Sequence, residues 1–170
     1  LFWGKRKPFQ ATAIGKTFAS KTATWRVIET PGHATDHISL LNEATGQLFS
    51  GDLFVHPETK VILRDESIMQ IIQSIEKVLT YDFQEMYCAH AGYVADGPKA
   101  LRKKLAYLKE LVAKVTDLYS RGYTVQAITK QIFPKTYPIT YISFGEWNAT
   151  HIVRSILQDY TKQKLVDSQI

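Results

Sequence analysis

The chain has 170 residues, 45% of them hydrophobic, with a formal net charge of +5 and a pI near 9.2. That composition is ordinary for a globular protein and supports a buried core rather than a disordered chain, and no apolar run reaches transmembrane length. Cys88 is the one cysteine, so no internal disulfide can form, and a reducing compartment, the cytoplasm, is the expected setting.

The first residues, LFWGKRKPF, carry neither a signal-peptide pattern nor an initiator Met, and a fragment or processed chain is expected. Leu1 to Lys21 reads as loop, with one short strand at Ala11–Ile14. Thr24–Glu29 alternates β-branched and aromatic residues with polar ones, a strand signal that Pro31-Gly32 stops. Ile38–Leu41 and Gln47–Phe49 flank Asn42 to Gly46, a hairpin loop containing glycine. His56 to Lys60 is a polar loop, after which Asp65 is positioned to cap a helix over Glu66–Leu79. A strand at Glu85–Ala89 follows, so strand, helix and strand build an α/β layer.

Beyond Asp96-Gly97-Pro98 the pattern becomes helical. Leu101, Leu105, Leu108, Leu111, Val112, Val115 and Leu118 form one stripe, ended by Gly122. Thr124 caps a short helix stopped by Pro134, and Asn148 or Thr150 opens the last one. The organisation expected is an α/β unit over residues 1–97 and a helical region over 98–170. The basic residues, Lys5-Arg6-Lys7 and Lys99, Arg102, Lys103, Lys104, Lys109 and Lys114, read as a frayed end and a solvated helix face, not as a nucleic-acid surface.

Three residues stand out chemically. His33, Asp52 and His90 each follow an extended segment and sit beside Gly32, Gly51 or Gly92. Imidazole and carboxylate are ligands for zinc and similar divalent ions, and the ends of strands are where sheets bring such groups together. A carboxylate between two histidine subsites can bridge two cations. Singly, each residue has a bland reading as a turn, surface or core group; jointly and in this order they point to a metal site. Cys88, in an apolar run, reads as a buried strand residue and not a nucleophile.

The segments TPGHATDH, LFSGD and YCAHAG resemble the later metal-binding motifs of the metallo-β-lactamase superfamily, in its glyoxalase II-like and β-lactamase-like branches. The resemblance covers Trp25 to Gly92 and continues more weakly into the helices. It implies the C-terminal half of an αββα sandwich followed by a helical region. It further implies that His33 binds a first metal, Asp52 bridges two, and His90 binds the second, the ions most simply being two zincs. His37 is then a residue that supports its neighbour His33 rather than a ligand, and His56 and His151 are surface or packing residues.

The family's first motif, HxHxDH, is absent: no histidine lies between Leu1 and Thr30. With it go further ligands and the base-orienting aspartate, so the catalytic residues cannot be named in this chain, and weak or no metal binding is expected of it alone. The function implied is the C-terminal portion of a hydrolase acting on an ester, thioester or related bond of a small molecule through a metal-held hydroxide. The alternatives are a superfamily nuclease acting on RNA and a non-catalytic assembly module. Half of a sandwich would expose apolar sheet, so homo-oligomerisation through that face is expected, and no membrane partner is.

Overall fold

The structure is a computed structural model that describes residues 10–167. The Lys5-Arg6-Lys7 run lies outside the described residues. Six strands form one mixed sheet in chain order: β1 (Thr17–Ala19), β2 (Thr24–Glu29), β3 (Ile38–Asn42), β4 (Gln47–Gly51), β5 (Glu85–Cys88) and β6 (Gly92–Val94). All neighbours are antiparallel except β4 and β5, which run parallel because α1 (Ile68–Val78) crosses over between them. Helices α2 (Gly97–Ser120), α3 (Val125–Ile132), α4 (Pro138–Ile142) and α5 (Ala149–Asp167) follow. Among the described residues no helix is long and apolar enough to cross a membrane.

Most expected elements form near their expected positions. The early strand does not: Ala11–Ile14 is irregular, and the edge strand is Thr17–Ala19, paired to Thr24–Arg26 across the Ser20–Ala23 turn. The first helix starts later than expected. Ser67, not Asp65, is its N-cap and accepts the Gln70 N–H, which leaves Glu66 in the preceding turn. Asn148 is the residue that opens α5, its side chain accepting the Thr150 N–H at 2.9 Å.

The sheet has two unlike faces. Ile28, Leu41, Leu48 and Met86 point to one side and are buried against Ile68, Ile71, Ile72 and Ile75 of α1 and the stripes of α2 and α5. On the other side the register aligns Val27, Leu40, Phe49, Tyr87 and Tyr93 across β2 to β6, while Trp25, two residues from Val27 on the same face, pairs with Phe18 of β1. Trp25 meets Phe49 edge-on at 5.2 Å, Phe49 stacks on Tyr87 at 5.1 Å, and Tyr87 lies 5.4 Å from Tyr93. No described helix covers this row, and Phe49 is 45% and Tyr93 58% exposed. A row of aromatics on a sheet face is the pattern of a layer that meets another layer.

Candidate metal centre

Strands β2, β4 and β5 all run in one direction, so their carboxyl ends share an edge of the sheet. His33 follows β2, Asp52 follows β4 and His90 follows β5, and the three side chains meet there. His33 Nε2 lies 3.3 Å from Asp52 Oδ2, and His90 Nε2 lies 3.1 Å from Asp52 Oδ1. The shared direction of the strands brings the three predicted residues together on one rim.

Local structure holds each of them. The loop carrying His33 is pinned to the start of α1, since the Gly32 carbonyl accepts the Ser67 N–H at 2.8 Å and the Pro31 carbonyl accepts the Ser74 hydroxyl. Asp52 follows Gly51, whose φ of +53° lies in the left-handed region; an added Cβ there would meet His37 Nε2 at 2.6 Å. His90 sits in a turn shaped by Cys88, whose buried sulfur accepts the His90 and Ala91 N–H groups at 3.3 and 3.1 Å and contacts the Phe54 carbonyl. Cys88 is thus a buried strand residue with a structural task.

His37 acts on Asp52 more directly than on His33. Its Nε2 accepts the Asp52 N–H at 3.0 Å, while Nδ1 faces the Thr30 carbonyl at 3.0 Å and the Thr30 hydroxyl at 2.8 Å. This fixes the tautomer with the proton on Nδ1. Burial lowers the pKa of His37, which keeps the ring neutral and able to accept from Asp52.

Two polar residues of the site were not foreseen. Glu66 is buried, accepts the Leu63 N–H at 2.9 Å, and faces His33 Nδ1 at 3.3 Å. Its hydrogen bond is the main cause of a raised His33 pKa, with burial opposing. A carboxylate behind a histidine orients the ring and raises its basicity toward a metal. The sequence signal was present but ambiguous, because Glu66 reads equally well as the first turn of a helix. Lys104 corrects an expectation outright. It does not lie on the solvated face of α2 with Lys99, Arg102, Lys103, Lys109 and Lys114, but is buried, 4% exposed, with a pKa lowered by desolvation to about 8. His56 is exposed and His151 is buried, its Nε2 facing the Gly145 carbonyl at 3.0 Å.

The rim opens into a cleft of about 590 Å³. His33, Asp52, Glu66, His90 and Lys104 occupy its polar end, and Val55, Ile62, Ile71, Ile139 and Trp147 form apolar walls. Helix α4, which the sequence did not announce, supplies Ile139.

The donors suit a cation in kind. Asp52 Oδ1 is buried without a hydrogen bond, although His90 Nε2 approaches it closely. A carboxylate set between two imidazoles is a donor combination that divalent ions such as zinc accept. In number the donors fall short: among the described residues no group of three or more His, Cys, Asp or Glu is arranged to hold a metal.

No family model matches the chain. It is 35% identical over 85 residues to a β-lactamase-like protein 2 homologue of Drosophila melanogaster, a match spanning 49% of this chain and 27% of that protein. It is 30% identical over 106 residues to the lactamase-like protein aptB of Emericella nidulans, spanning 62% and 32%. An atrochrysone carboxyl ACP thioesterase of Claviceps purpurea is 25% identical over 126 residues, spanning 70% and 40%. The fold matches that of a metallo-β-lactamase family protein from Thermus thermophilus with a TM-score of 0.69 at 16% identity, covering 94% of this chain and 50% of that one. It matches the sec-alkylsulfatase Pisa1 of a Pseudomonas species with a TM-score of 0.64 at 15% identity, covering 92% and 26%.

The mixed sheet with its following helices is therefore a partial metallo-β-lactamase fold. Over part of its length the chain is similar in sequence to β-lactamase-like and lactamase-like proteins and to an ACP thioesterase. It spans less than half of the length of the curated relatives it matches.

Proposed function

We propose that this chain is the part of a metal-dependent hydrolase that carries His33, Asp52 and His90. The bond cleaved is an ester, thioester or related bond of a small-molecule substrate. The observation that carries the reading is the convergence of two imidazoles on one half-buried carboxylate, His33 at Oδ2 and His90 at Oδ1. The relative named as an ACP thioesterase supports the choice of bond. His33, Asp52 and His90 would hold divalent ions, two zincs in the simplest case, together with ligands supplied from elsewhere. Such a pair, when bound, supplies Lewis acidity and activates water at neutral pH.

The chain's own groups do the positioning. Asp52 lies between the two subsites, and His37 holds its backbone through the Asp52 N–H. Glu66 sets the orientation of His33. The apolar walls of the cleft keep bulk water from the substrate's acyl part. A catalytic zinc calls for three protein ligands and an open position, more than His33, Asp52 and His90 would offer two ions by themselves. A longer polypeptide joining this chain to an HxHxDH segment should hydrolyse a p-nitrophenyl ester or an acyl thioester. Asp52→Asn should lower that turnover by roughly 10²–10³-fold or more. The 170-residue chain should stay at background. Full activity in Asp52→Asn would remove the proposal.

We also propose that the aromatic row from Phe18 to Tyr93 pairs with a second copy when this chain stands alone. The row is continuous, apolar and uncovered, and burying such a surface is favourable at about 25 cal/mol per Å². In sedimentation at increasing concentration the chain should run as a dimer or larger species, and Phe49→Glu with Tyr93→Lys should return it to monomer. A wild-type chain that remains monomeric throughout would refute this pairing.

A further inference from the structure

Lys104 occupies a position that helical spacing reserves for an apolar side chain. It lies between Leu101 and Leu108 on the buried stripe of α2, at i+3 from one and i−4 from the other. Its neighbours on that stripe are leucines and valines in the core, yet its own side chain lines the cleft beside His33, Asp52, Glu66 and His90. The ammonium sits 5.9 Å from the centre of the Phe54 ring. Among the described residues it forms neither a hydrogen bond nor an ion pair, and Asp52 and Glu66 act on it only as charges at longer range. A ring face offsets only part of the cost of burying an ammonium, so an anion brought to Lys104 would be favoured.

We infer that Lys104 forms, with the apolar walls at Ile139 and Trp147, a subsite that recognises a carboxylate on the substrate. The inference rests on the cleft being a substrate site, as proposed above. The three donors of one ammonium satisfy a planar, singly charged carboxylate. A phosphate dianion would bring a second negative charge toward Asp52 and Glu66, which the single cation leaves uncompensated. The carboxylate would lie against Lys104 and the hydrocarbon part against Ile139 and Trp147. The class of substrate is thus an acyl compound with a carboxylate near the scissile bond. Lys104 is a specificity residue in this arrangement.

The test uses the metal-free chain, dialysed free of metal and chelator, and follows the Trp147 indole N–H by NMR. Butyrate and its neutral isostere butyramide are titrated in parallel, with inorganic phosphate as a third arm. Butyrate should shift the Trp147 signal saturably and bind on the order of 10-fold more tightly than butyramide, as expected for one charge-assisted pair. Lys104→Met should abolish that preference while leaving weak butyramide binding in place. Equal binding of the two probes by the wild type, or a preference that survives Lys104→Met, overturns the subsite. Phosphate binding more tightly than butyrate overturns the carboxylate assignment. The wild-type comparison decides the matter even if the variant fails to fold. No metal or turnover enters the measurement, so a butyrate preference in a protein whose longer form lacks hydrolase activity would retire the hydrolase reading alone.

Discussion

Gly32→Ala should cost about 3 kcal/mol or more, the sum of left-handed strain and overpacking. Gly32 has a φ of +141°, and a Cβ built on it would lie 2.5 Å from Ile71 Cγ1 and 2.7 Å from the Ile71 backbone nitrogen. A side-chain tip could swing away, but helix backbone cannot. The substitution would push the His33 loop off the start of α1, breaking the bond from Ser67 N–H to the Gly32 carbonyl. A melting temperature lower by roughly 10 °C is expected for a chain of this size. Gly122→Ala is the control: its φ is +86° but nothing lies within 4 Å of the added carbon, so strain alone applies, about 1 kcal/mol. Thermal unfolding of the two variants side by side checks the claim. If Gly32→Ala is no worse than Gly122→Ala, the loop is not clamped as described.

Lys104→Met should raise stability near neutral pH by about 2–3 kcal/mol, because it removes a buried charge and fills the same volume. The pKa of Lys104 is lowered from 10.5 to about 8 by desolvation, so between those values the unfolded chain binds more protons than the folded one. Wild-type stability should therefore rise as pH climbs from about 8 to 10.5, while below 8 the full penalty is present. The advantage of Lys104→Met should be largest below pH 8 and should fade toward pH 10.5. Urea denaturation of both proteins across that range reads the difference directly. A variant less stable than wild type at pH 7 would mean that the ammonium is held by a compensating partner in the folded chain. Together with the expected loss of carboxylate binding, this is a stability cost retained for function.

How much of this was legible beforehand differs from residue to residue. His33, Asp52 and His90 could be read because strand signals and adjacent glycines place them at strand ends, and parallel strand directions gather such ends on one edge. The cap at Asn148 and the stop at Gly122 are local chemistry and were readable for that reason. Strands β1 and β6, three residues each, carry too few positions to show a period, and they exist through pairing with β2 and β5. Glu66 was hidden because Asp65 and Ser67 both suit an N-cap, and only packing decides between them. Lys104 was hidden because its residue type overrode its position: the stripe from Leu101 to Leu118 already marked that site as buried. Where residue type and helical position disagree, as at Lys104, the position proved the better guide to burial.

The central claim is that His33, Asp52 and His90 are a real but incomplete ligand set. Zinc titration of the 170-residue chain by calorimetry tests it most directly, with His33→Ala as the comparison. Weak binding of at most one ion is expected, reduced further in His33→Ala, with no ester turnover in the zinc-saturated sample. Tight uptake of two zinc ions with turnover that vanishes in His33→Ala would contradict it, because the chain would then hold a complete centre by itself.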